Sequence, residues 1–231
     1  MSRPLKKHLE LEGLFGADFL PLSKTAKRPS KKPARHPGPD ISAWGWPSEY
    51  LAFREEVLDC RKCGLCATRT QVVFGVGPLS TPLLFVGEAP GADEDVRGEP
   101  FVGRAGQLLT STLKKLGVER HRVHIANILK CRPPDNRTPQ PDEMQACLPW
   151  LQRQIDTIRP KVLCAMGNIA AQTLLQTKTG ITRLRGRSVE AMGTRIFPTF
   201  HPAYILRNMG DLPLFEADLR TVCKETGLLE K

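Results

Sequence analysis

The stretch 82-PLLFVGEAPGADEDVRGEPFVGRAGQLLTSTLKKLGV-118 decides the fold. It opens on an apolar run from Leu83 to Val86, short and uninterrupted, as expected of a strand buried on both faces. Gly87, Pro90, Gly91 and Gly98 break that run. The chain then resumes at 104 with apolar side chains at helical spacing and a stop at Gly117. A second apolar run, 123-VHIANIL-129, comes directly after. A strand, a helix and another strand in this order predict parallel pairing through a crossover.

The same alternation extends in both directions. Upstream, 48-SEYLAFREEVLDC-60 reads as a helix capped by Ser48 and ending in cysteines. Downstream come a helix over 141–158, a strand over 161–167, a helix over 168–175, a strand over 195–201 and a last helix near 213–226. The whole predicts an α/β protein, a three-layer α/β/α sandwich around a central, mostly parallel sheet of about four strands. Ligands in such folds bind beyond the carboxyl ends of the strands. That rule places Gly87–Glu88, Asn127–Lys130 and His201–Pro202 on one rim. The turn after Gly87 crowds Glu88, Asp93, Glu94 and Asp95 between glycines and closes on Phe101, which points to something held there.

At 231 residues the chain suits one domain with an appendage. Apolar residues make up 40%, and no apolar run approaches membrane-spanning length, so a soluble protein without a membrane partner is expected. The opening 1-MSRPLKKHLELEG-13 offers no export signal, which predicts a cytoplasmic, nucleoid-associated protein. A formal charge of +10 points to a polyanionic partner. From Pro21 to Pro39 the chain holds five prolines and six Lys or Arg residues with no acid, too little apolar surface to fold. Residues 1–43 are therefore expected to be a basic, Pro-rich disordered tail and 44–231 a single domain. The tail adds sequence-independent attraction to phosphates. Its segment 9-LELEGLFGADFL-20 is a candidate peptide for a replication or repair protein.

Seven cysteines without an export signal argue for metal binding or burial rather than disulfides. The run 60-CRKCGLC-66 holds three, and Cys131 and Cys147 flank a Pro-rich loop. A C-x-x-C pair brings two sulfurs to one ion, and thiolates select zinc or iron-sulfur clusters. A second close pair, which a zinc knuckle needs, is missing, and a ferredoxin-type run would need cysteine where Thr70 stands. Cys60, Cys63, Cys131 and Cys147 could form a four-sulfur site; the alternative is that Cys131 and Cys147 are small core residues, as Cys164 and Cys223 are expected to be.

Taken together, 60-CRKC-63, 87-GEAPGADED-95, 100-PFVGRAGQLL-109, 127-NILKCRPPDNRTP-139, Cys147 and 201-HPAYILRN-208 resemble the iron-sulfur uracil-DNA glycosylases, often called family 4. The resemblance runs from about Leu58 to Asn208, with the motifs in the expected order. It implies that Cys60, Cys63, Cys131 and Cys147 ligate a structural [4Fe-4S] cluster, with Cys66 a bystander. It implies a base pocket lined by main-chain groups of Gly87, Glu88 and Ala89, with Phe101 stacked on uracil, Asn127 on its polar edge and His201 donating to O2. The implied activity is uracil excision: the base is flipped from single- or double-stranded DNA and its N-glycosidic bond hydrolysed, which leaves an abasic site and starts base excision repair.

His201 is then the first catalytic candidate, as the donor that stabilises the departing uracil anion, and the residues leave its imidazole either neutral or charged. Ala89 occupies the place where family 1 enzymes carry a water-directing aspartate. That makes Glu88 the nearest substitute, with Asp95 a second candidate, unless these acids only hold the loop. Arg183, Arg185 and Arg187 in 182-TRLRGR-187, and Arg207, are candidate DNA contacts, as are Lys130, Arg132 and Arg137 beside the cysteine loop. The tip 204-YIL-206 could wedge into the space left by the flipped base. Since 180-GITRLRGR-187 contains no histidine, turnover is expected rather than a covalent adduct with DNA. A monomer is expected.

Overall fold

The computed structural model describes residues 38–229; the 9–20 segment and most of the basic stretch lie outside the described residues. A helix α1 (Ser48–Leu58) precedes the sheet. The sheet and its covering helices follow as β1 (Leu83–Gly87), α2 (Ala92–Arg97), α3 (Arg104–Lys115), β2 (His124–Asn127), α4 (Pro141–Ile158), β3 (Val162–Met166), α5 (Asn168–Leu175), α6 (Ile181–Leu184), β4 (Val189–Ala191), β5 (Thr194–Thr199), α7 (Pro202–Ile205) and α8 (Leu212–Thr226). The sheet order is β2-β1-β3-β5-β4. Its first four strands pair in parallel, and β4 runs antiparallel to β5.

Strand β1 shows why the layers form. All five of its residues are buried, and successive side chains point to opposite faces. Leu83 and Phe85, with Cys164 and Met166 of β3, pack against Leu109 and Leu113 of α3 and Phe215, Leu219 and Val222 of α8. Leu84 and Val86, with Leu163 and Ala165, pack against Leu151, Ile155 and Ile158 of α4 and Ala170, Ala171 and Leu174 of α5. The three-layer α/β/α architecture follows from this double burial. A third, aromatic cluster joins Trp46, Tyr50, Phe53 and Phe74 to Trp150, seating α1 against α4 beside Cys131 and Cys147. None of the described helices is long and apolar enough to cross a membrane.

Three details differ from expectation. The sheet has five strands rather than about four, because β4 and β5 form a hairpin through Met192 (φ 52°) and Gly193 (φ 71°). Two consecutive left-handed residues match a type I′ turn, whose usual signal is Asn or Asp at the first position, not Met. Ser48 is the first helical residue and makes no capping bond; the position before it is Pro47. The acids after Gly91 do not lie in an open turn. Asp93, Glu94 and Asp95 occupy the first turn of α2, where negative charge suits the helix N-terminus.

On the far side of β2, Val76 closes the sheet by an antiparallel bridge to Ile125, each N–H donating to the other's carbonyl at 3.0 and 2.8 Å. At the carboxyl rim, Gly87 is level with Asn127 across the β1–β2 pair, and Met166 with Thr199 across β3–β5. The chain turns upward from these ends to form the site.

Candidate active site

A cleft of about 420 Å³ opens on that rim, lined by Glu88, Ala89, Phe101, Asn127, His201 and Arg207 among others. Gly87 lies beneath it. A Cβ on Gly87 would stand 2.5 Å from both Phe101 Cζ and Asn127 Oδ1, so the absence of a side chain lets the ring and the amide meet over the end of β1. Phe101 adopts a left-handed backbone (φ 53°), a conformation that strains a bulky residue by about 1–3 kcal/mol. Gly106 of α3 accommodates it: any Cβ there would overlap the Phe101 carbonyl. Asn127 is buried and its Oδ1 has no hydrogen-bond partner, although buried polar atoms are rarely left unpaired. Gly87→Ala should therefore push Phe101 and Asn127 apart. A misplacement near 1 Å predicts a loss of about 10²-fold in kcat/KM, read by steady-state kinetics on uracil-containing oligonucleotides; an unchanged value would show that the glycine is not needed for the approach.

His201 reaches the cleft from the end of β5, at the N-cap of α7. Its Nδ1 accepts the Ala203 N–H at 3.1 Å, so that nitrogen carries no proton and the ring is neutral, with its hydrogen on Nε2. Burial, and secondarily the charge of Arg207, lower its pKa to about 4, in agreement with a neutral ring. The ring centroid stands 5.5 Å from that of Phe101, inclined by 35°. Gly167 (φ 92°) backs it: a Cβ there would lie 2.9 Å from His201 Cβ.

The acids divide by environment. Glu88 is half-buried in the cleft wall, and burial raises its pKa above the usual carboxylate value. Glu94 holds the loop: its carboxylate accepts the N–H groups of Gly91 at 3.1 Å and of Val102 and Gly103 at 2.9 Å. Asp95 is buried and accepts Thr70 N–H at 2.9 and 3.1 Å, which ties α2 to the segment after the cysteine run. Asp95 is thereby committed to the backbone. Glu94 stands at the third position of α2, from which a carboxylate can reach back to the N-cap N–H of Gly91, although glycine has no side chain to complete a capping box.

The basic residues also separate. Arg207 lines the cleft, and Arg183 is exposed on α6. Arg185 turns inward to Asp218. Lys130 is fully buried, away from any phosphate, because its ammonium donates to the Asn127 carbonyl at 2.9 Å and to Gln154 Oε1 at 2.6 Å; burial lowers its pKa to about 8. Arg132 donates to Asn136, and Arg137 forks onto Glu143 at 2.9 and 2.6 Å. Pro133, Asn136, Arg137 and Tyr204 line the cleft without having been singled out as pocket residues. Of the 204–206 tip, Ile205 is buried, while Tyr204, whose hydroxyl donates to Asp211 at 2.7 Å, and Leu206 are both partly exposed.

Cys60, Cys63, Cys66, Cys131 and Cys147 gather around one small pocket between α1, the Cys131 loop and α4. Cys164 and Cys223 are buried in the core. N–H groups point at three of the pocket sulfurs: Arg69 Nη1 at 3.2 Å from Cys131, Trp150 Nε1 at 3.4 Å from Cys60 and Lys130 N at 3.3 Å from Cys147. Burial pushes the Cys131 thiol up to about 12 and raises Cys63 and Cys147 as well, so a bound cation is needed to keep these groups as thiolates. Among the described residues, no three metal-ligating side chains converge on a single ion.

Residues 74–223 match the family model of the uracil DNA glycosylase superfamily. A type-4 uracil-DNA glycosylase of Thermotoga maritima is 48% identical over 156 residues, which is 67% of this chain and 81% of that protein. One from Archaeoglobus fulgidus is 43% identical over 175 residues, 72% of this chain and 88% of the relative. A third, from Sulfurisphaera tokodaii, is 43% identical over 179 residues, 74% and 81% respectively. With the matched segment running from the Val76 bridge through β5 into α8, and with relatives aligned over most of their own length, this chain belongs to the uracil-DNA glycosylase superfamily, in its type-4 branch.

Proposed function

We propose that this protein removes uracil from DNA by hydrolysing the N-glycosidic bond, leaving an abasic site for base excision repair. The observation that carries this most directly is the meeting of Phe101, the unpaired Asn127 amide and a neutral His201 on one cleft. Uracil presents a flat apolar face, a donor and acceptor pair at N3 and O4, and a carbonyl at O2 that gains charge as the bond breaks. Phe101 suits the face and the Asn127 amide, one donor and one acceptor, suits the N3–O4 edge. His201 Nε2–H suits O2, where a donor placed in advance stabilises the developing anion. A base inside a duplex must be flipped to reach such a site. Arg207 at the cleft and the exposed Arg183 would hold the backbone without reading sequence.

The thiol pocket fits a [4Fe-4S] cluster held by Cys60, Cys63, Cys131 and Cys147. What supports this is the donor set, cysteine sulfurs gathered on one pocket, since thiolates are the ligands that iron-sulfur clusters take. When bound, the cluster would serve as a covalent cross-link between α1, the Cys131 loop and α4, with no part in the hydrolysis. Glu88 would orient the attacking water as a carboxylate, so kcat/KM should fall as pH drops through its pKa, above the ordinary carboxylate range. That acid limb should persist in His201→Ala and vanish in Glu88→Gln. A limb kept in Glu88→Gln would assign the water to another group.

The defining experiment incubates the protein with a single-uracil oligonucleotide and cleaves abasic sites with alkali, with a matched cytosine strand as control. Breaks confined to the uracil strand are expected. Their absence from folded, iron-loaded protein would overturn the proposal.

A further inference from the structure

The C-terminal helix carries a buried acid that the chemistry above does not use. Asp218 of α8 receives Arg185 through Nε at 3.0 Å and Nη2 at 2.6 Å, and accepts the Thr199 hydroxyl at 2.7 Å. Thr199 ends β5, two residues before His201. Arg185 belongs to the 180–187 loop, and its guanidinium also lies 5.0 Å from the centre of the Phe200 ring. Gly186 N–H donates to the Pro198 carbonyl at 3.2 Å, a second tie between that loop and β5. At the loop's start, Ile181 N–H donates to Asn168 Oδ1 at 3.1 Å, next to the glycine that backs the His201 side chain. One carboxylate therefore holds two things: the strand end that delivers His201 and the loop that exposes Arg183 and Arg187. Among the described residues neither of those arginines has an acidic partner.

We propose that Asp218 is a positioning residue that locks the arginine loop and the His201 turn into one unit, so that phosphate contact by Arg183 and Arg187 is held in register with stabilisation of the departing base. This rests on the uracil-excision proposal above. A forked arginine–carboxylate pair fixes orientation as well as distance, and here the same oxygen that takes the hydroxyl of Thr199 also takes Arg185 Nε. Asp218 touches neither DNA nor base; it acts through its two arms.

Those arms can be cut separately. Thr199→Val removes the arm to His201 and should lower kcat by about ten- to a hundredfold with KM unchanged. Thr199→Ser keeps a hydroxyl and should retain wild-type kcat. Arg185→Lys keeps a positive charge but loses the fork. It should raise KM for uracil-containing DNA about tenfold at equal kcat, and should make the slope of log KM against log salt shallower by about one to two as Arg183 and Arg187 disengage. Circular dichroism and the thermal midpoint establish that each variant is folded. Folded Thr199→Val and Arg185→Lys with wild-type kcat, KM and salt slope would overturn the proposal, even if both melt earlier, since Asp218 would then only anchor α8. A kcat loss shared equally by Thr199→Ser would overturn it too. Should Thr199→Val not fold, the serine variant and the salt slope of Arg185→Lys decide. Failure of the uracil proposal would look different, because the unaltered protein would then make no uracil-dependent breaks.

Discussion

Replacing His201 by alanine is expected to lower the single-turnover rate of uracil excision by about 10²- to 10³-fold, the usual effect of removing one donor aimed at a developing oxyanion. The donor is Nε2–H of a neutral ring, because Nδ1 already accepts the Ala203 N–H. A neutral donor has a consequence for pH. With its pKa lowered to about 4, His201 keeps the same protonation state from pH 5 upward, so the wild-type profile should show no inflection near the ordinary histidine value of about 6.5. A rate that climbs as pH falls through 6.5 would mean that imidazolium is the active form and that the Ala203 contact breaks when DNA binds. Binding should change far less than rate, since Phe101 and Asn127 still hold the base, and product inhibition by free uracil measures that separately.

The second large effect belongs to the thiol pocket. Cys147→Ala should abolish bound iron and its visible absorbance. Loss of a metal site is among the few single changes that cost more than about 4 kcal/mol. In a domain of this size that corresponds to a thermal midpoint lower by about 8–16 °C. Activity should fall with it, because the loop that starts at Cys131 also supplies Pro133, Asn136 and Arg137 to the cleft. Cys66→Ala is the control: Cys66 lines the same pocket but lies outside the proposed ligand set, so iron and midpoint should stay at wild-type values. Equal iron loss in both variants would show that the ligand set is different, and full iron in Cys147→Ala would place the metal elsewhere.

Elements whose residues speak for themselves were legible in the sequence. Helix α4 runs over the expected residues because Pro141 starts it and the Glu143 carboxylate accepts the N–H of the N-cap Gln140. The start of helix α5 was legible because Gly167 precedes it, whereas its end at Gln176, left-handed in the structure, carries no such signal. The rim was legible too, since parallel strands send their carboxyl ends to one side. What stayed hidden depends on distant partners. Arg183, Arg185 and Arg187 look alike in sequence, yet only Arg185 finds Asp218, 33 residues further along the chain. Lys130 sits beside a cysteine like a surface base, and only the fold shows that Gln154, 24 residues on, draws it inside. The acids of α2 read as a charged loop because a six-residue helix gives little periodicity, and their bonds to Thr70, Val102 and Gly103 cross between segments.

The way the sheet ends bears on solubility. Its inner strands are short apolar segments of the kind that pair with copies of themselves when an edge is open. Here β2 is covered by the Val76 bridge, and β5 is covered by β4. The outermost strand, β4, is three residues long and carries an exposed Glu190 at its centre. Short charged edges resist edge-to-edge addition. The hairpin at Met192 and Gly193 thus acts as a guard against fibrous self-association, at the opposite end of β5 from the cleft.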